Sequence, residues 1–155
     1  MMVSNMNNEA LCAFSETKAG VFHSLKWGQI IPETFIGDLI ECAKKNSDRK
    51  ARLCLHPSPK EVTQVTFLAL VAPYEDRQHK HPNKPEIMFP VLGKAELTIF
   101  HDNKSKARVF TLDAENPIPV SIESNTVHAL KVLSTNFVFI EIGIGPFNED
   151  STVYC

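Results

Sequence analysis

A chain of 155 residues has the length of one domain, and a 43% hydrophobic content is enough to build a core. The 16 Lys and Arg against 18 Asp and Glu give a net charge of −2 with no basic stripe, which argues against a nucleic-acid partner. No apolar run is long enough to span a bilayer, and Met1 to Phe14 lacks the charged start and apolar stretch of a signal peptide, so no membrane partner and a cytoplasmic location are expected.

Residues 1–30 show no clear period and read as an N-terminal arm, with Val21–Leu25 a weak strand candidate and Trp27 its anchor. Residues 31–155 read as a helix followed by one barrel domain. Pro32 is expected to start the helix, since proline favours the first helical position. Phe35, Ile36, Leu39, Ile40 and Ala43 then recur at helical spacing, and Lys44 and Lys45 sit where the macrodipole favours cations. The helix is short and amphipathic, a buttress for a sheet.

After Pro59 the period becomes two. Val65, Phe67, Ala69 and Val71 alternate with Gln64, Thr66, Leu68 and Leu70. Further strands are expected over 86–92, 94–100, 108–112, 119–122, 127–133 and 136–144, with turns at His101–Lys104 and Ser134–Asn136. Many short strands punctuated by Asn, Asp, Pro and Gly indicate a sandwich or barrel. Cys12, Cys42, Cys54 and Cys155 form no C-x-x-C pair and read as free thiols, Cys54 as a small core residue.

The residues that carry chemistry begin with the run His79-Lys-His81-Pro-Asn-Lys-Pro-Glu86. Two histidines one residue apart on a strand project from the same face. A carboxylate after a short turn and a third imidazole, His128, from a later strand can complete a mixed nitrogen and oxygen metal site. Such a set suits Zn, Fe, Ni, Mn or Cu(II) and leaves room for water or substrate, with Ni, Fe, Mn or Zn the ions expected. Met88 and Pro90 share the face of Glu86, and Leu130 and Val132 that of His128, so they are expected to line the same interior. Glu141 interrupts an apolar strand and is a candidate general base. Arg49, Arg52 and His56 form a candidate anion site, with His56 alternatively supporting a ligand from behind. Gln64 and Arg77 are candidate polar lining groups.

The stretch from His79 to Gly93 resembles the first cupin motif: His-x-His, four residues, Glu, six residues, Gly. His128 stands where the second cupin motif has its histidine. In that motif Asn125 replaces glycine, and asparagine is the best non-glycine occupant of a left-handed turn. The resemblance implies an all-β double-stranded β-helix, a jelly-roll barrel holding a divalent transition metal through His79, His81, Glu86 and His128. Arg49, Arg52 and His56 before the barrel, and Gly145-Pro146-Phe147 at its end, extend the likeness to the WbuC-type cupin-fold metalloproteins of bacteria, over about residues 32–147. That family takes its name from surface-polysaccharide gene neighbourhoods and supplies no established reaction. Two functional readings follow. One is a metal-dependent enzyme acting on a small, sugar-derived molecule, by isomerisation, epimerisation or oxygenation. The other is a non-catalytic cupin that binds or senses a small ligand with a metal bound. A homodimer is expected because open jelly-roll sheets have edges that pairing covers.

Overall fold

The computed structural model describes residues 14–32, 34–101 and 105–155. The turn expected at His101–Lys104 therefore lies largely outside the described residues. Two sheets face each other. The larger has seven strands in the order β1 (Phe14–Lys18), β2 (Val21–Ser24), β3 (Lys50–Cys54), β4 (Thr63–Val71), β11 (Asn136–Ile144), β6 (Glu86–Leu92) and β9 (Val120–Ile122). The smaller has five, in the order β12 (Val153–Tyr154), β5 (His79–Lys80), β10 (His128–Val132), β7 (Lys94–Phe100) and β8 (Lys106–Asp113). Neighbours are antiparallel except β2 and β3, which run parallel.

The period-two pattern explains both faces of the larger sheet. Leu68, Leu70, Met88, Phe137 and Phe139 point inward and pack with Ala95, Leu97, Leu112, Leu130 and Val132 of the smaller sheet. Residues of opposite parity, Leu53, Ala69, Val71 and Val138, form a second core on the outer face with Phe22. That core is capped by α1 (Phe35–Lys45), which buries Phe35, Leu39, Ile40 and Ala43. The helix starts at Phe35 rather than Pro32, because the Phe35 N–H closes a turn onto the Pro32 carbonyl. Strand β4 is apolar on both faces from Leu68 onward because it is covered on both sides.

Of the segment 1–30 expected as an arm, Phe14–Lys18 and Val21–Ser24 form a hairpin that extends the larger sheet through β3. Phe22, His23 and Ser24 are buried there. Gly93 lies between β6 and β7, where the chain leaves one sheet for the other. Its φ of 77° and the approach of the Asn136 carbonyl leave no space for a Cβ. Asn125 has φ 62°, as its place in the turn before His128 requires.

Candidate metal centre

The two sheets meet at the histidines. His79 on β5 stands directly opposite His128 on β10, while Glu86 opens β6 in the facing sheet. The ring centroids of His79 and His128 are 4.4 Å apart, those of His79 and His81 5.2 Å and those of His81 and His128 5.6 Å. One nitrogen from each of the three rings lies within 4.8 Å of the other two. Glu86 reaches across, with Oε1 3.1 Å from His81 Nε2 and Oε2 3.6 Å from His128 Nε2.

The backbone sets the tautomer of each ring. His79 Nδ1 lies 2.8 Å from the Arg77 carbonyl, His81 Nδ1 2.8 Å from the Ser151 carbonyl and His128 Nδ1 2.9 Å from the Thr126 carbonyl. A carbonyl only accepts, so each Nδ1 carries the proton and donates it, and each Nε2 is left as a lone pair. Glu86 Oε1, Glu86 Oε2 and His128 Nε2 are buried without a hydrogen-bond partner. Lone pairs gathered around an unsatisfied carboxylate are costly in a dry interior, and a cation removes that cost. The residues thus fit the implied metal, with imidazole and carboxylate donors of a kind that suits a divalent transition ion.

Burial governs the ionisation here. It holds the His81 and His128 imidazoles down to about 4, so both are neutral at neutral pH, the form that metal ligation requires. It pushes the Glu86 carboxyl up to about 8, with the Glu141 charge adding to the rise and Lys84 opposing it. Lys84 Nζ lies 3.4 Å from Glu86 Oε1, an ion-pair distance that still leaves this oxygen without hydrogen-bond geometry.

A cavity of about 340 Å³ opens beside the centre. His79, His81 and Glu86 line one part of it, and Lys50, Arg52, Met88, Phe139 and Glu141 line others. Glu141 sits between Thr66 and Met88 in register, on the cavity face of β11. Arg52 and Lys50 come from β3. Lys50 Nζ donates to the Tyr74 hydroxyl at 2.9 Å, and that hydroxyl donates to Asp76 Oδ1 at 2.6 Å. Burial pulls the Lys50 ammonium down and pushes the Tyr74 hydroxyl up.

Other expected contacts differ. Arg49 does not line the cavity. It takes a left-handed φ of 54° at the turn into β3, and its guanidinium donates to the carbonyls of Val71 and Ala72. Arg77 stacks its guanidinium 4.6 Å above the Tyr154 ring and offers its carbonyl to His79. Gln64 lines the cavity, but its amide nitrogen donates to the Pro59 carbonyl at 2.8 Å. His56 lies in the cavity wall, its ring held against Val65 and packed edge-on to His23. Three contributors escaped the sequence reading. Lys84 faces Glu86, Ser151 fixes the His81 tautomer, and Tyr154 pairs with His79 across β12 and β5.

Solved structures with this architecture include CapF, the capsular polysaccharide assembling protein from Staphylococcus aureus. It is 20% identical at a TM-score of 0.62, with 71% of this chain matching 30% of that one. Oxalate decarboxylase from Lactobacillus farciminis, in a formate complex, is 18% identical at 0.51, over 61% of this chain and 27% of the other. The Bacillus subtilis oxalate decarboxylase, a protein with Mn(II) centres, is 20% identical at 0.51, over 61% and 24%. The fold is the cupin double-stranded β-helix. The chain spans about a third or less of the length of those solved chains. No protein-family model and no curated protein matches its sequence. Among the described residues, no helix is long and apolar enough to cross a membrane, and Cys42, Cys54 and Cys155 are free thiols, as expected.

Proposed function

We propose that this cupin is a metal-dependent enzyme acting on a small, anionic, sugar-derived molecule in the cavity. The observation that carries the reading is the approach of the His81 and His128 Nε2 lone pairs to the unsatisfied carboxylate of Glu86, with a nitrogen of His79 within 4.8 Å of theirs. His79, His81, Glu86 and His128 would hold the ion. When bound, such an ion polarises a carbonyl or hydroxyl, or activates water or dioxygen. Arg52, on the cavity wall, orients a carboxylate or phosphate of the substrate through its planar fork of donors. Glu141 accepts or returns a proton within the cavity, which fits isomerisation or epimerisation. Met88 and Phe139 keep that wall apolar and limit water. The sugar-derived class draws on the polysaccharide association of the WbuC-type resemblance and on the capsular polysaccharide role named for CapF.

Lys84 favours a second reading, a non-catalytic cupin that binds or senses a small ligand. Its ammonium already faces Glu86 and competes with a cation for that carboxylate. The test is to load the full chain with Mn²⁺ or Ni²⁺ and screen sugar acids and sugar phosphates for both binding and turnover. Turnover that Glu141→Gln abolishes while binding survives supports the enzyme. Tight binding with no turnover supports the sensor. We also propose a homodimer that covers a sheet edge such as β8 or β9; a monomer by light scattering at micromolar concentration contradicts it.

A further inference from the structure

The cavity wall carries a second group of metal-ligating side chains, apart from the three-histidine cluster. His23 on β2 is paired in parallel register with Cys54 on β3, and His56 follows two residues beyond. A nitrogen from each imidazole and the Cys54 sulfur all lie within 4.8 Å of one another. All three residues line the cavity, yet their exposures are only 9%, 7% and 3%. Two imidazoles and a thiol are thus gathered in a nearly dry wall.

We propose that His23, Cys54 and His56 form a second metal site, suited to a borderline-soft divalent ion such as Zn²⁺, with one coordination position open to the cavity. The hydrogen bonds around the cluster prepare it for this. His23 Nδ1 lies 3.3 Å from the His56 carbonyl. That nitrogen therefore donates, and Nε2 is left as a lone pair. His56 Nδ1 is 3.2 Å from both the carbonyl and the N–H of Val65. Donation to that carbonyl frees Nε2, and a bound ion selects this tautomer. The Cys54 sulfur receives a single long contact, from the Thr66 hydroxyl at 3.8 Å, so its lone pairs are available.

The donor set separates this site from the first. A thiolate with two imidazoles and no carboxylate favours Zn²⁺ over the harder Mn²⁺. Three protein ligands and an open fourth position is the arrangement of catalytic zinc sites, whereas structural ones are closed by four. The competing account is an edge-to-face imidazole pair, with centroids 5.4 Å apart and planes at 84°, packed on a small thiol with no role for an ion. The proposal does not depend on the reading of His79, His81, Glu86 and His128.

Cobalt titration of the full chain, stripped of metal, separates the accounts. Co²⁺ bound to a thiolate gives an intense near-ultraviolet charge-transfer band, which a site of histidines and carboxylate lacks. The wild type is expected to show this band. His128→Ala should keep it, which holds the result apart from the fate of the first centre. Cys54→Ser should abolish it and lower bound Co²⁺ by one equivalent. His23→Ala provides the same test if the serine variant misfolds. A variant with Cys12, Cys42 and Cys155 all replaced by Ser should retain the band. Absence of the band in folded wild type, its survival in Cys54→Ser, or its loss when only the other three cysteines are replaced overturns the proposal.

Discussion

The two histidine clusters on one cavity wall differ in how their protons and charges are fixed. At His79, His81 and His128 every ring is locked by a carbonyl, and the remaining donor is an unsatisfied carboxylate. At His23, Cys54 and His56 one ring is locked, one can take either tautomer, and the third donor is a thiol that burial pushes up, beside an imidazole that burial holds down. The donor set of the first cluster is the harder and that of the second the softer. The two clusters are thus distinguished by a third imidazole, by a carboxylate in place of a thiol, and by the backbone behind the rings.

The largest effect that sharpens this contrast comes from removing a ligand of the first cluster. His128→Ala or Glu86→Ala should lower metal affinity there by more than about a hundredfold, beyond the loss typical of an outer-sphere partner. Metal content measured on the folded variants checks this, and unchanged content contradicts the assignment.

Next comes pH. Binding at Glu86 must displace a proton held up to about 8, so affinity should fall by up to about tenfold for each pH unit below that point, and calorimetry in two buffers should detect proton release. The metal-free protein should respond in the opposite sense at Glu86. Its Glu86 keeps a proton that the unfolded chain loses near 4.5, so stability should decline between about 4.5 and 8 from this group. His81 and His128, held down to about 4, contribute stability that is lost as pH falls from 6.5 toward 4. Thermal melts with and without metal should therefore diverge most near pH 8. Equal pH profiles break the account.

A smaller effect is expected at Lys84. Lys84→Met removes the ammonium facing Glu86 and should raise metal affinity about tenfold, or about 1.4 kcal/mol. A fall in affinity would show that Lys84 supports the centre. The smallest effect belongs to Arg52 in the cavity wall. Arg52→Ala should weaken an anionic ligand by about threefold to tenfold, the scale of one charge-assisted hydrogen bond, and leave metal content unchanged. Equal loss of both would place Arg52 in the metal centre.

Most of the first cluster was legible because His79, His81 and Glu86 sit at fixed spacing in one short run, and the positive φ of Asn125 was legible from its place before His128. The second was not, because it depends on parallel pairing of β2 with β3, a contact between segments about thirty residues apart that no local period announces (order of a non-local pairing). His23 therefore carried no message, and Cys54 read only as a core residue. The C-terminal support was hidden for a different reason. Strand β12 spans Val153–Tyr154, too short to show alternation, yet its neighbour Ser151 fixes a ligand. Arg49 misled in the other direction. A cation in a basic run suggests an anion site, but here the guanidinium satisfies carbonyls at the end of β4. The barrel strands were read correctly because one face is buried in each core, which enforces the period of two.

The most direct test of the central claim is elemental analysis of the untagged protein, purified without added metal or chelator and compared with Glu86→Ala. The account predicts a near-stoichiometric divalent transition metal in the wild type and its loss in the variant. A wild type that holds no metal even after reconstitution with Mn²⁺, Fe²⁺, Ni²⁺ and Zn²⁺ would contradict it, and would leave a cupin barrel whose cavity binds its ligand without an ion.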